Sequence, residues 1–267
     1  MSALSPAAQA FEALAPRFDE RFSEWKSVAA QRRAVRRELL AAFPEGSSLL
    51  EMGGGTGEDA LFLAERGRRV LLTDAAPTMV ELAGAKARAR SLDSLVETRR
   101  LSIEELSLLA DERGASFDGA FSNFAAFNCV DDLAAAGRTL ARLLAPGAHA
   151  LLVVFGPFSP AEALVLTLRG RPGAAFRRLA KSPVEARVGG CTFTVRYPSP
   201  RDYARAFGPE LVLRRVRGIG LAVPPSSAEP FVSRFPRLLA AAEAFDRVLA
   251  SPLALLADHV LLDFVRR

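Results

Sequence analysis

The sequence predicts an α/β fold built around a parallel sheet. Three observations carry that reading. Five short apolar stretches alternate with helix-like patterns between residues 46 and 156. Four glycines, Gly53, Gly54, Gly55 and Gly57, follow the first stretch directly. Half of the 267 residues are apolar against 24% charged, the balance of a chain that buries a core. At about 150 residues per domain the length suits one domain with additions, and a chain of this size needs no disulfide or metal to staple it.

Residues 1–45 read as helix, with a break expected near Ala15-Pro16. Phe18, Phe22, Trp25, Val28, Val35, Leu39 and Leu40 recur at roughly helical spacing up to Pro44-Glu45-Gly46. The period then changes. Ser48–Met52 is a strand-length apolar run, and a helix is expected from about Glu58 to Arg66, with Gly67 in the place of a C-terminal cap. Arg69–Asp74 is the second strand. Pro77 opens a helix through about Arg90, since a first-turn residue has no intrahelical N–H bond to lose. Leu95 to Ser102, Phe117 to Ser122 and His149 to Phe155 supply three more strands, separated by helices over Ile103 to Glu112 and Leu133 to Leu144. Asp131 or Asp132 can cap the second of these helices, and Pro146-Gly147 signals a loop. Parallel strands joined in this way need right-handed helical crossovers.

After Gly156 the rhythm breaks. Ala161 to Ala180 is helical in pattern but interrupted by Gly170 and Pro172-Gly173. Val184 to Tyr197 reads as a hairpin about Gly189-Gly190, with Val188 and Thr192 flanking the turn. A short helix over Pro200 to Phe207, a strand over Leu211 to Val216, a helix over Phe231 to Leu249 and a strand over His259 to Val265 complete the chain. The stretch between Gly156 and Phe207 is an insertion in the sheet order.

Charge and composition exclude several classes. The net charge of +5 is modest, and the basic pairs Arg32-Arg33, Arg36-Arg37, Arg177-Arg178 and Arg214-Arg215 are scattered. They read as solvated helix faces, not as a stripe that tracks phosphates. Two cysteines, Cys129 and Cys191, make neither a disulfide framework nor a zinc site and suit a reducing compartment. Two distant histidines, His149 and His259, make no metal centre. No apolar run approaches the roughly 20 residues of a membrane span, and Glu12 and Pro16 break any signal-peptide pattern. A cytoplasmic protein is expected, with neither DNA nor a membrane as partner and no metal, as a monomer or homodimer.

The chemistry begins at Leu49-Leu50-Glu51-Met52-Gly53-Gly54-Gly55-Thr56-Gly57. Glycines between a strand end and a helix start let the backbone approach a ligand and take positive φ, at the edge where open α/β sheets bind ligands. The dinucleotide fingerprint is not met, because Glu58 stands where its third glycine belongs, and Thr56-Gly57-Glu58 lacks the ending of a phosphate loop.

The pattern Glu51-x-Gly-x-Gly-x-Gly instead resembles motif I of the class I S-adenosylmethionine-dependent methyltransferases. Further stations agree. Asp74 ends the second strand 23 residues after Glu51, and Thr73-Asp74-Ala75-Ala76-Pro77-Thr78-Met79 is similar to the family's D-x-S-x-x-M stretch, with Ala76 in place of serine. Leu143-Leu144-Ala145-Pro146-Gly147-Ala148 is similar to its L-L-x-P-G-G, with Ala148 replacing the second glycine. The resemblance covers about Ser48 to Phe155 plus the closing strands. It implies a Rossmann-like, seven-stranded, mostly parallel sheet with helices on both faces and a helix/hairpin insertion after the fifth strand. It divides the single methyltransferase domain, residues 1–267, into an N-terminal helical lid (1–45), a cofactor-binding core (46–156), a substrate cap (157–207) and closing strands with a helix (208–267).

The resemblance also implies site roles. S-adenosylmethionine would lie against Glu51, Gly53, Gly54, Gly55 and Gly57. Asp74 would accept hydrogen bonds from its two ribose hydroxyls, with Ala75 beside it and Met79 packed near the adenine. Ser102 and Ile103 stand where the family often has an aspartate and an adenine-flanking residue, and Ser122 and Asn123 end the strand whose tip lies near the sulfonium. Methyl transfer from a sulfonium is an in-line displacement, so alignment and exclusion of water are the main demands, and a base is needed only where the acceptor must lose its proton early. Asn123, Asn128 and His259 are the catalytic candidates; His149 belongs to the opposite end of its strand, and Asp131 and Asp132 read first as caps. The expected acceptor is a small molecule methylated on O, N or C. Arg169, Arg171, Arg177, Arg178, Arg187 and Arg196 in the insertion would favour an anionic one if they faced the cleft. An RNA or protein methyltransferase and a non-catalytic S-adenosylmethionine-binding regulator are the alternatives. Against base-amino methylation, Ser122-Asn123-Phe124-Ala125-Ala126-Phe127-Asn128 lacks the N/D-P-P-Y/F motif.

Overall fold

A computed structural model describes residues 3–22 and 24–267. The N-terminal segment is three helices, α1 (Pro6–Leu14), α2 (Phe18–Phe22) and α3 (Lys26–Ala42), with a 3-10 turn at Ala15–Arg17 where the sequence shows its proline break. The alternating stretch then runs β1 (Ser48–Met52), α4 (Glu58–Ala64), β2 (Arg69–Asp74), α5 (Pro77–Ala89), β3 (Val96–Arg100), α6 (Leu106–Arg113), β4 (Phe117–Ser122), α7 (Leu133–Leu143) and β5 (Leu144–Phe155). The insertion holds α8 (Pro160–Leu168), α9 (Pro172–Ala175), β6 (Val184–Val188), β7 (Cys191–Val195) and α10 (Pro200–Phe207); β8 (Leu211–Ile219), α11 (Pro236–Leu249) and β9 (His259–Arg266) follow.

Seven strands form one sheet in the order β3-β2-β1-β4-β5-β9-β8. The first five pair in parallel, and β9 runs antiparallel to both β5 and β8. The chain order reverses at β1, between β2 and β4, which opens a crevice at the carboxyl edge of those strands. Helices cover both faces. One core joins Leu50, Met52 and Leu152 to α6, α7 and α10 through residues such as Leu109, Leu140 and Phe207. The other joins Leu49, Leu72 and Val153 to α3, α4 and α5 through Leu39, Leu61 and Ala83. Alternate residues of each strand enter opposite cores, as a doubly covered sheet requires. Each fully buried leucine contributes about 1.5–3 kcal/mol.

Four details differ from the sequence expectation, each for a local reason. Pro146-Gly147 lies inside β5, taken up by a register shift between the Phe117/Leu144 and Gly119/His149 pairs. The helix expected over Ala161 to Ala180 is cut into two, because Gly170 takes φ +72° and Pro172 starts anew. Val188 pairs with Cys191, not Thr192, so the turn is the two residues Gly189-Gly190, both at positive φ. The helix expected from Phe231 begins at Pro236, after a 3-10 turn at Val232–Arg234. The hairpin β6-β7 is a sheet of its own, and it packs against α1 through Ala10, Phe193 and Val195. No helix among the described residues is long and apolar enough to cross a membrane.

Candidate functional site

Polar residues converge at the carboxyl edge of the sheet. Glu51, next to last in β1, is buried, and its Oε2 has no hydrogen-bond partner among the described residues. Burial pushes its carboxyl well above the ordinary carboxylate range, and the Asp59 charge adds to that, outweighing Arg32 and Arg36. The glycine turn lies directly over it. A β-carbon at residue 54 would fall 2.6 Å from Leu72 and 2.9 Å from the Glu51 carboxyl carbon, so the turn closes only with glycine there. Gly53, Gly55 and Gly57 all take positive φ. At Gly55, with φ +55°, a β-carbon would meet only the Phe18 ring, at 3.9 Å, which leaves the backbone open to a ligand.

Asp74 closes the other side of the turn. Its Oδ2 accepts the Gly55 N–H and its Oδ1 the Ala76 N–H, both at 2.9 Å. Burial raises the Asp74 pKa, and the N–H groups of Ala76, Gly55 and Ala75 draw it part of the way back. Each carboxylate oxygen keeps a lone pair for a further donor.

The N-terminal segment is fastened over this turn. The Glu12 carboxylate accepts the Thr78 N–H at 3.0 Å and the Thr78 hydroxyl. The Thr56 hydroxyl donates to Asp19 at 2.6 Å, and Lys86 bridges Asp19 and Glu58 at 2.6 and 2.9 Å. Met79 is buried here with Ala15 and Ala76, against Phe11 and Phe18. The structure therefore packs Met79 beneath the N-terminal helices.

At the tip of β4, Ser122 is buried, its hydroxyl without a partner among the described residues, and Asn123 follows. The Asn123 amide donates to Asp59 Oδ2 at 2.8 Å, while its Oδ1 accepts the Phe124 N–H at 2.8 Å. Asp59, in the first turn of α4, is also held by Arg32 at 2.9 Å and Arg36 at 2.7 Å. Burial alone would raise its pKa; the two guanidinium groups and the Asn123 amide outweigh burial and hold it below the ordinary value. Phe124 and Ala125 stand in the left-handed region at φ +52° and +69°, and Arg32 lies over the Phe124 ring at 4.8 Å. Non-glycine residues adopt that conformation where their surroundings enforce it, and such strain gathers at functional sites.

Because β9 is antiparallel, its first residue, His259, pairs with the last of β5, Phe155, and so joins the same edge. The His259 ring stacks on Phe155 at 5.1 Å and meets Phe124 edge-on at 5.8 Å, and Tyr197 lies 5.7 Å from Phe155. Its Nδ1 is 3.2 Å from Asp258 Oδ2. His149, expected at the start of its strand, lies midway along β5, its Nδ1 2.7 Å from Asp263.

Three candidates have other duties. Ser102 and Glu105 bond reciprocally across the turn before α6: the Ser102 N–H donates to the Glu105 carboxylate at 3.1 Å and the Glu105 N–H to the Ser102 hydroxyl at 3.2 Å. Ile103 turns into the core with Leu101 and Leu106. Asn128 is wholly buried, its amide donating to the Arg196 carbonyl at 2.7 Å and accepting the Phe155 N–H at 3.0 Å. It clamps the hairpin exit to the end of β5. Asp132, as expected, caps α7 by accepting the Ala135 N–H at 2.9 Å.

The arginine pairs need correction. Arg32 and Arg36 were expected on a solvated face and instead reach Asp59, four residues apart on the side of α3 that meets α4. Arg178 is buried, bonding Glu162 at 2.7 Å and Asp258 at 2.6 Å, while Arg177 takes the other Glu162 oxygen and Arg196 pairs with Asp131. Carboxylates thus pair with Arg177, Arg178 and Arg196 of the insertion. Asp59 escaped the sequence reading although it lies two residues past the last loop glycine, since an acid in a first helical turn is an ordinary feature.

Residues 50–152 match a family model described as a methyltransferase domain. No curated protein sequence matches the chain. Among solved structures, that of the [4+2]-cyclase SpnF aligns over 99% of this chain and 97% of its own, with a TM-score of 0.67 and 16% identity. An S-adenosylmethionine-dependent methyltransferase from Mesorhizobium loti has a TM-score of 0.58 and 23% identity, covering 88% of this chain and 98% of its own. Geranyl diphosphate C-methyltransferase from Streptomyces coelicolor A3(2), crystallised with Mg2+, geranyl diphosphate and S-adenosyl-L-homocysteine, has a TM-score of 0.56 and 16% identity, over 88% and 78% of the two chains. At these identities the likeness is one of fold.

Proposed function

We propose that this chain, whose residues 50–152 match a family model described as a methyltransferase domain, binds S-adenosylmethionine at the glycine turn and methylates an O, N or C atom of a small molecule. The observation that carries the reading is the buried Glu51 Oε2 without a partner among the described residues, beneath a glycine turn whose outer side is open at Gly55. The donor set suits the ligand: Asp74 has lone pairs for two ribose hydroxyls, and Glu51 can accept from the ammonium of the amino-acid part. Bound there, S-adenosylmethionine supplies an electrophilic methyl group on a sulfonium. The remaining tasks fall to the protein.

The Glu12–Thr78 and Asp19–Thr56 bonds hold the N-terminal helices as a lid that excludes water. Asn123, fixed on Asp59, sets the strained Phe124-Ala125 turn. Phe124, Phe155 and Tyr197 form an aromatic wall for the acceptor around His259, with residues 157–207 as its cap. Where the acceptor carries a proton on the attacking atom, His259 Nε2 takes it, with Asp258 beside Nδ1 to stabilise the charged ring. An uncharged acceptor suits this wall better than an anionic one.

The experiment is incubation with methyl-labelled S-adenosylmethionine and a metabolite extract, with labelled products identified by mass, beside calorimetric titration of the ligand. Failure to bind S-adenosylmethionine overturns the reading. A second reading has one observation behind it, the alignment of the [4+2]-cyclase SpnF over almost the whole chain. Ligand binding with products of unchanged mass would favour such a rearrangement over methyl transfer.

A further inference from the structure

Among the described residues, apart from Leu108, every large apolar side chain that stands in solvent lies in residues 160–181 or 231–256. On α11, Leu238, Phe245 and Val248 are 69%, 52% and 74% exposed and recur at helical spacing, so the helix turns an apolar stripe outward while Leu239 and Asp246 face inward. Leu164 and Leu168 do the same on α8, one turn apart. The two segments adjoin, since α8 packs on the 3-10 turn Ser226–Ala228, shortly before the exposed Phe231 and Phe235. Monomeric proteins rarely leave apolar surface of this extent without an occupant.

The charges say which occupant. The acids of these segments are all engaged within the protein: Glu162 by Arg177 and Arg178, Glu243 by Arg33, and Asp246 by the N–H groups of Leu221, Ala222 and Val223. The cations Arg169, Arg171, Lys181, Arg234, Arg237 and Arg247 stand exposed around the leucines and phenylalanines. Arg234, Phe235, Pro236, Arg237 and Leu238 line a hollow of about 280 Å³, where two guanidinium groups flank apolar walls. An isologous dimer through this face would bring like charges together. An anionic bilayer surface matches both features, because apolar side chains enter the acyl boundary while arginines meet lipid phosphates.

We propose that the face formed by α8, α11 and the turns beside them docks the protein on the surface of an anionic phospholipid membrane. The arrangement lies on the membrane and does not span it. Its α8 is part of the cap that follows the carboxyl edge of β5, so a docked chain holds its acceptor side close to the lipid. The docking itself is independent of the methylation reading.

The test is flotation of the full chain with phosphatidylcholine vesicles and with vesicles containing one-third phosphatidylglycerol, at low and high salt, with sedimentation velocity in parallel. The expected result is binding to the anionic vesicles alone, weakened by salt. The surface variants Arg234→Ala/Arg237→Ala and Phe245→Ser/Val248→Ser should each lower the partition coefficient about tenfold or more, with circular dichroism melts unchanged. Equal binding to both vesicle types, no binding to either, or a dimer that the Phe245→Ser/Val248→Ser variant abolishes would each overturn the proposal.

Discussion

The carboxylate of Asp74 accepts the backbone N–H of Gly55 at 2.9 Å. A residue at the end of β2 thereby fixes the turn after β1, and the two positions act as one unit. Asp74→Ala removes both the ribose acceptor and the turn's anchor. Charge-assisted bonds of this kind contribute about 1.5–3 kcal/mol each, so calorimetry should register a loss of S-adenosylmethionine affinity of about 100-fold. Gly55→Val forces a β-branched residue to φ +55° and should weaken binding comparably. Retained affinity in both variants sinks the assignment of this turn.

Glu51 links binding to pH. In the ligand-free chain, burial foremost and Asp59 next hold its pKa well above the ordinary range. A bound ammonium favours the ionised form, so binding should release a proton. Affinity should rise with pH until the pH passes the ligand-free Glu51 pKa, and then level off. Calorimetry in two buffers of different ionisation enthalpy measures the release directly. Glu51→Gln should abolish it, and a wild-type chain without buffer dependence would remove the ammonium from this carboxylate.

His259 is to be tested by the division between kcat and KM. If its Nε2 takes the acceptor proton, His259→Gln should lower kcat about 100-fold and leave S-adenosylmethionine affinity unchanged. Loss of affinity with kcat preserved would assign the ring a packing role between Phe155 and Phe124.

Arg178 predicts both a magnitude and a pH window. Its removal in Arg178→Leu leaves Glu162 and Asp258 buried without their shared cation. Breaking such a pair costs about 3–5 kcal/mol, equivalent to a Tm drop of roughly 6–20 °C. Burial would raise the Asp258 pKa, but His259 and Arg178 outweigh it and hold the carboxyl far below its unfolded value. The stabilisation is therefore present above about pH 4 and lost as the pH falls towards the folded pKa. Asp258→Asn should be less stable at neutral pH and should lose less on acidification, as urea unfolding at several pH values would record.

Asn128 separates clamping from chemistry. Asn128→Ala strips the Arg196 carbonyl and the Phe155 N–H of their partners inside the protein, at about 1–3 kcal/mol for each buried group. The melting temperature should fall while ligand affinity is kept. An affinity loss without destabilisation would return Asn128 to the acceptor site.

The sequence reveals most where the structure is local. The strands Ser48–Met52, Arg69–Asp74 and Phe117–Ser122 lie where their apolar runs stand, because doubly covered strands are apolar almost throughout. Pro77 and Pro200 open helices, and Asp132 caps one. The long-range contacts are less legible. Ser102 has the residue type and position of a ligand contact, yet its hydroxyl and N–H bond with Glu105 three residues on, across the turn before α6. Arg36 reads as a surface charge until α4 brings Asp59 against it.

From sequence alone, then, came the alternating α/β order, the glycine turn and the acid that faces it at Asp74, because backbone freedom, strand ends and helix starts are encoded within a few residues. Tertiary structure decided which side chains surround that turn. His259 reaches the edge because β9 runs antiparallel to β5, and Arg178 is buried because Glu162 and Asp258 meet it across 16 and 80 residues of chain. No local pattern specifies those contacts; they follow from the order and direction in which the sheet assembles its strands.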